Sequence, residues 1–274
     1  MRHKPTRTYA LAFLILCGAV ALLQANAVTT GDVHLLRVDG AIGPATSAYI
    51  EKGIDDAGAA GAAMVVLSMD TPGGLDASTR SIVQAVLNAP VPVVTYVAPE
   101  GARAASAGTY ILYASHVAAM APATNVGAAT PIQLGGGDGA GEGSPFPARG
   151  GDEGGDSTEE EDTPHESKEG KPMPDADGGE ERPGEKKAGA GANAKERKVI
   201  NDAAAYIRAL AERRGRNAGW AEMAVREAVS LPAGEALEKN VIDFIARDVT
   251  QLLAKADGMV VKVRGREVTV RSAD

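Results

Sequence analysis

Short apolar runs alternate with amphipathic stretches over the first 130 residues. The runs from Val33 to Val38, Met64 to Leu67 and Val91 to Val97 are rich in aliphatic residues and lie close to glycine or proline, which predicts strands. Between them, apolar residues recur at helical spacing from Pro44 to about Ala57 and from Asp76 to Asn88. Strands that alternate with helices favour a parallel sheet with right-handed crossovers, so the predicted fold class is α/β.

The same alternation continues to residue 132 and returns after residue 194. Further elements are predicted, in order, as a helix from Ser106 to Ser115, strands Val117 to Met120 and Asn125 to Ala128, helices Val199 to Arg214 and Asn217 to about Ala228, a short helix after Ser230-Leu231-Pro232, a strand Val241 to Ala246, a helix Val249 to Ala256 and a hairpin of Val260 to Val263 with Glu267 to Arg271.

The segment 133–193 has a different composition from the rest of the chain. It holds 16 of the 33 glycines, and its sixteen acidic residues stand against six Lys or Arg, whereas the whole chain carries a charge of −8. Such a segment buries too little apolar surface to offset its ordering entropy, so we predict a disordered acidic insertion. Two interpretations stay open: a flap over a binding cleft, or a tolerated surface insertion.

Residues 1–27 resemble a secretory signal. A positively charged start is followed by an apolar run from Tyr9 to Leu23, and Ala25-Asn26-Ala27 fits a small-residue cleavage site. An uncleaved N-terminal anchor is the alternative. Both interpretations predict an exported protein that faces the periplasm or the extracytoplasmic side of the membrane, with or without an anchor.

Composition excludes several classes of site. The only cysteine, Cys17, lies in the predicted leader, and the four histidines show no ligand spacing, so neither a disulfide framework nor a metal site is predicted. No basic stripe with interleaved aromatics is present, which argues against nucleic-acid binding. No cofactor is expected. His116 directly follows the predicted Ser106 helix and is interpreted as structural rather than as a base.

Two glycine-rich turns carry the candidate chemistry. Ser106 stands in Ala104-Ala105-Ser106-Ala107-Gly108, where small neighbours permit close approach and a following helix favours a developing negative charge. A nucleophile that forms an oxyanion needs this setting, although the same pattern fits a helix N-cap. The turn Thr71-Pro72-Gly73-Gly74 follows the second strand and can aim backbone N–H groups inward.

Four motifs in order extend this pattern: Thr71-Pro72-Gly73-Gly74, Ala104 to Tyr110, Met120-Ala121-Pro122 and Asn125-Val126-Gly127-Ala128. Together they resemble the ClpP/crotonase superfamily, and more closely the N-terminal domain of NfeD-type membrane-bound serine proteases, over residues 32–132 and 197–257. The resemblance implies a repeated β-β-α superhelix with a parallel sheet and flanking helices. A ClpP-like protease domain would then comprise residues 28–132 and 194–274.

The resemblance also implies roles for particular residues. Ser106 is the expected nucleophile, and Lys198, matched by position before the helix that carries Tyr206-Ile207, is the expected general base. The backbone N–H groups of Gly74 and Ala107 would form the oxyanion hole, with Gly73 shaping the turn. By itself, the cluster Lys195-Glu196-Arg197-Lys198 is typical of a solvated surface.

The implied function is a Ser-Lys endopeptidase that cleaves hydrophobic segments, such as the C-terminal region of a stomatin-like membrane protein, and that forms a dimer or larger homo-oligomer. The alternative is a ClpP-fold binding or scaffold partner of a stomatin-like protein without proteolysis, because the long insertion could separate the base from Ser106. Crotonase-type acyl-CoA chemistry is disfavoured, since acyl-CoA is intracellular and the leader predicts export.

Overall fold

A computed structural model describes the backbone of residues 27–29, 31–131 and 185–272, and the side chains of residues 31–131 and 194–272. Residues 31–131 and 194–272 belong to one compact unit, which is the unit described below. The predicted leader, up to residue 26, and residues 132–184 of the region around the predicted insertion lie outside the described residues.

Apart from three short strands that were not predicted, at residues 27–29, 103–105 and 230–232, the helices and strands follow the predicted order. In chain order they are β1 (Ala27–Thr29), β2 (Val33–Asp39), α1 (Pro44–Ala60), β3 (Met64–Asp70), α2 (Asp76–Leu87), β4 (Val93–Val97), β5 (Arg103–Ala105), α3 (Ala107–Ala114), β6 (Val117–Met120), β7 (Asn125–Gly127), α4 (Glu185–Arg214), α5 (Ala218–Arg226), β8 (Ser230–Pro232), α6 (Ala233–Glu238), β9 (Phe244–Ile245), α7 (Val249–Ala256), β10 (Val260–Val263) and β11 (Arg266–Val270).

A five-stranded sheet in the order β2-β3-β4-β6-β9 forms the centre of this unit, and all its strands run parallel. Residues 64–67 and 93–97 are fully buried, as expected for central strands covered on both faces. One face packs against the helices α1, α2, α3 and α4, and the other against α7 and the β10-β11 hairpin. The prediction of a parallel α/β fold is confirmed.

A small sheet of β5, β7 and β8 lies beside the main one. β5 runs parallel to β7, β7 runs antiparallel to β8, and a bridge joins Thr71 to Ala104. β5 was not predicted because its residues, Arg103-Ala104-Ala105, include no β-branched or aromatic side chain. It ends immediately before Ser106, so this sheet sets where Ser106 enters the structure.

Two elements differ most from their predicted bounds. Helix α4 begins at Glu185, within the stretch predicted to lack order, because its first residues include the good helix formers Lys, Ala and Glu. The predicted strand Val241 to Ala246 is reduced to Phe244–Ile245, since the N–H groups of Val241 and Ile242 donate to Ala236 O and end α6 instead.

No helix in the described parts of the chain is long and apolar enough to cross a membrane. Among those same residues, no group of three His, Cys, Asp or Glu side chains is arranged to hold a metal ion.

His116 is hydrogen-bonded within the central sheet. Its N–H donates to Val93 O (2.9 Å), and its Nδ1 accepts from the N–H of Val93 (3.2 Å). Burial, and after it the positive charges of Arg214 and Arg216, lower the pKa of His116 to about 3. The ring is therefore neutral at physiological pH and already used as an acceptor, which agrees with its interpretation as structural.

This burial predicts a pH dependence of stability. Because the folded-state pKa lies below the ordinary value of 6.5, only the unfolded chain takes up a proton as the pH falls from about 6.5 to 3. The free energy of unfolding should fall over that window by up to about 1.4 kcal/mol per pH unit from this group alone. Urea unfolding of wild type and His116→Asn at several pH values measures it. The variant keeps an acceptor but should lose this part of the slope, and equal slopes would contradict the assignment.

Candidate active site

A narrow cavity of about 90 Å³ brings three of the five predicted site residues together. Ser106, Ala107 and Gly74 all line it, and Gly73 lies directly behind Ser106. The remaining lining comes from α2, from the α3 helix, from the chain after β7 and from α4, through the residues Asp76, Thr79, Arg80, Tyr110, Ala129, Pro131, Ala203 and Tyr206.

Ser106 occupies a sharp turn between β5 and α3. Its backbone has φ 50° and ψ −110°, a conformation that non-glycine residues rarely adopt and that is common at functional sites. The turn is held because the Ser106 N–H donates to Gly127 O (3.0 Å) and the N–H of Thr109 donates to Ser106 O (2.9 Å). The surrounding structure therefore fixes the strained backbone.

The Ser106 hydroxyl is not used as a helix cap. Ser106 is the residue before α3, yet its side chain makes no capping hydrogen bond and bonds to no other described residue. Its side chain is half-buried and borders the cavity. A hydroxyl without a partner at a helix N-terminus is placed to react with a bound molecule, which the N-cap interpretation would not explain.

Gly73 and Gly74 require the absence of a side chain. Gly73 has φ 119°, and a Cβ there would lie 2.7 Å from the Ser106 Cβ. At Gly74 an added Cβ would lie 2.0 Å from Ile42 O. Ile42 accepts from the N–H of Leu75 (2.9 Å) and donates to Gly73 O (2.8 Å), whereas the Gly74 N–H donates to no described acceptor. The turn thus presents a free N–H beside Ser106.

Thr71 and Thr109 hold the two turns together, and the sequence analysis did not single out their side chains. The buried Thr71 accepts from the N–H of Gly73 (3.1 Å), and its backbone pairs with Arg103 and Ala105. Thr109 Oγ1 lies 2.9 Å from both Ala104 O and Gly127 O. The only signal for Thr109 was its position one turn into a helix that follows a small-residue corner.

Two tyrosines form one wall of the cavity. The rings of Tyr110 and Tyr206 stack with 6.0 Å between centroids and 24° between planes. Burial, with a smaller effect of the Asp76 carboxylate, raises the pKa of Tyr110 well above its ordinary value, and burial also raises the pKa of Tyr206. Both phenols therefore stay protonated at neutral pH and do not supply a base.

Lys198 lies outside this cavity. It is exposed on α4, it does not line the cavity, and it pairs with no acid among the described residues. Successive residues four apart share a helix face, so Lys198 lies on the same side as Asp202 and Tyr206, one turn before the first and two before the second. The apolar burial expected of a catalytic lysine is therefore not present in this conformation.

The chain is similar in sequence to known proteins. Residues 32–144 match the family described as NfeD1b, N-terminal domain. The chain is 34% identical over 240 residues to the membrane-bound protease PH1510 of Pyrococcus horikoshii, covering 87% of this chain and 43% of that protein. It is also 34% identical over 98 residues to the membrane protein NfeD1b of Bacillus subtilis, which covers 35% of this chain and 22% of that protein.

Solved structures of a related protease domain also match this chain. A serine-to-alanine mutant of the stomatin-specific protease domain 1510-N matches with a TM-score of 0.66 and 30% identity, covering 89% of this chain and 94% of that one. The chain belongs to the NfeD-type membrane-bound serine protease family. A lysine-to-alanine mutant of 1510-N with a substrate peptide matches at a TM-score of 0.65 and 31% identity, covering 89% of each chain. The chain spans less than half the length of the curated relatives that it matches.

The contact between Gly73 and Ser106 can be tested by adding one methyl group. Gly73→Ala should displace Ser106 and lower the rate of its labelling by a fluorophosphonate about 100-fold, because small errors in placement are expensive in catalysis. Gly40→Ala is the matched control, since Gly40 has a similar φ of 104° but nothing within 4 Å of the added carbon. Unchanged labelling of Gly73→Ala, with the same melting temperature as Gly40→Ala, would contradict this geometry.

Proposed function

We propose that this chain is a serine endopeptidase in which Ser106 is the nucleophile and Lys198 the general base. The observation that carries the proposal is Ser106 itself: a strained residue at a helix N-terminus, lining a cavity, whose hydroxyl bonds to none of the described residues. The serine and lysine mutants named among the solved relatives support the choice of these two residue types.

The reaction would proceed by acyl transfer. Lys198 takes the proton from the Ser106 hydroxyl as Oγ attacks the peptide carbonyl, and the N–H groups of Gly74 and Ala107 bind the resulting oxyanion. The lysine then gives its proton to the leaving amine. Water, activated by the same lysine, hydrolyses the acyl-enzyme and releases Ser106.

The exposure of Lys198 requires a conformational step. For the dyad to form, the N-terminal part of α4 must bring Lys198 over the cavity and out of water, where burial lowers the pKa of a lysine. Substrate binding is the event we assign to this step, since a bound peptide would supply the apolar surface that the free site lacks.

The substrate proposed is an extended hydrophobic peptide, such as the C-terminal region of a stomatin-like membrane protein. The relatives named as specific for a stomatin homologue support it, and so does the apolar part of the lining, Ala129, Pro131 and Ala203. We also propose that the domain faces the extracytoplasmic side of the membrane and acts as a dimer or larger homo-oligomer.

The exposure of Lys198 also favours a second candidate, a binding module that holds a stomatin-like protein without cleaving it. A peptide could occupy the cavity whether or not a base reaches Ser106. In that case, capture of the hydrophobic peptide would survive both Ser106→Ala and Lys198→Ala, and wild type would show no cleavage.

Fluorophosphonate labelling separates the two candidates. Wild type should be labelled, Ser106→Ala should not, and Lys198→Ala should be labelled about 100-fold or more slowly, each measured with and without a hydrophobic peptide. Lys195→Ala is the control, because it removes another exposed lysine from the same helix. Labelling that depends on Lys195 instead would reassign the base, and absence of labelling in folded wild type with peptide present would reject the protease.

A further inference from the structure

A charged cluster on the rim of the cavity joins two helices that the proposed chemistry needs. The Arg80 guanidinium on α2 reaches Asp202 on α4, with 2.8 Å from Nη2 to Oδ2. The same guanidinium bonds Asp76 through Nε (2.9 Å) and lies 4.8 Å from the centre of the Tyr206 ring. Arg80 therefore makes both an ionic and a cation–π contact with one face of α4.

These contacts continue to the helix that begins at Ser106. Tyr206, beneath Arg80, stacks on Tyr110, and Tyr110 lies one turn after Ser106 on α3. Arg80 itself follows the Gly73-Gly74 turn by less than two turns of helix. One side chain thus connects the starts of α2 and α3 to α4, the helix that carries Lys198.

We propose that Arg80 is a positioning residue: through Asp202 and Tyr206 it sets the place and rotation of α4 relative to Ser106. Asp202 lies one turn from Lys198 on the same face, so fixing the carboxylate of Asp202 fixes the direction from which Lys198 approaches the cavity. The inference rests on the proposed function, since it gives Arg80 its role through the lysine.

The contribution of this cluster to stability is expected to be small. Arg80, Asp76 and Asp202 have side chains that are 40, 79 and 69% exposed, and ion pairs so exposed to water add little to folding. Variants of Arg80 should therefore fold normally. A change in reactivity would then report placement of α4 rather than loss of structure.

The test measures the rate of fluorophosphonate labelling of Ser106 with a hydrophobic peptide present. Arg80→Gln and Asp202→Asn should each be labelled about 10-fold more slowly than wild type, with melting temperatures within a few degrees. Arg208→Gln is the matched control: Arg208 lies on α4 with Asp202, is 48% exposed and pairs with Glu222 (3.4 Å), but does not line the cavity. Its labelling rate should stay within twofold of wild type.

Two further readouts distinguish positioning from a general structural effect. Exchanging the two charges, Arg80→Glu with Asp202→Arg, should recover most of the rate, because the arginine on α4 would then face two carboxylates on α2. Raising the salt concentration should slow wild type towards the Arg80→Gln rate and leave Arg80→Gln nearly unchanged, since screening weakens exposed pairs.

The outcomes separate the two proposals. If Ser106→Ala abolishes labelling and Lys198→Ala slows it about 100-fold while Arg80→Gln matches Arg208→Gln, the role of Arg80 is rejected and the protease stands. If Arg80→Glu and Asp202→Arg each slow labelling and the double exchange does not restore the rate, positioning through the ion pair is also rejected. If labelling does not depend on Ser106 or Lys198, the proposed function itself fails.

Discussion

The carbonyl end of the helix behind Ser106 is closed by two arginines, and the rest of the site depends on this interaction. Arg216, 2% exposed, donates to Leu112 O, Tyr113 O and Ser115 O, and Arg214 donates to Ala114 O. Positive charge at a helix C-terminus is favourable, and the carbonyls gain donors that the helix cannot supply itself. Asp243 accepts from Arg216 (2.7 Å) and from the Ala118 N–H (2.7 Å), which attaches the arrangement to the central sheet. Asp243 itself is partly exposed, but removing it would leave the buried guanidinium of Arg216 without a carboxylate, which is typically destabilising.

The opposite end of the same helix shows why so many small residues meet there. Thr109 ties the first turn to β5 and β7, and the close approach of Gly73 to Ser106 leaves no room for a methyl group. At Gly108 an added Cβ would lie 2.7 Å from the Thr71 side chain. The small residues allow two turns of backbone to stand side by side, and the threonines then join them by hydrogen bonds. These contacts remove conformational freedom from Ser106, which is the preorganisation that the proposed oxyanion hole would require.

Much of the fold could be predicted from the sequence because it depends on local patterns. Apolar runs such as Met64 to Leu67 predict buried strands wherever they occur, and the small residues around Ser106 indicate a close approach without naming the partner. The contacts that assemble the site join residues that are far apart in the sequence. Arg80 and Asp202 are 122 positions apart, and Arg216 lies about 100 positions from the carbonyls that it binds. No periodicity connects such residues, since their meeting follows from the path of the whole chain. Lys198 was predicted only from a family resemblance, and its exposure shows that a matching position does not by itself supply the surroundings that a base needs.

Helix α4 connects the carbonyl cap on α3 to the proposed base, because its last turn supplies Arg214 and an earlier turn carries Lys198. The C-terminal end is bonded into the core, while Lys198 lies 16 residues away, about 24 Å along the axis. Ala203, Ala204 and Ile207 of the same helix are also buried in the core, so the fixed part of α4 extends from Arg214 back to within two turns of Lys198. Movement of Lys198 towards the cavity therefore has to come from the exposed turns before Ala203. Such a movement would leave the carbonyl cap on α3 undisturbed, because the buried turns lie between the two ends of the helix.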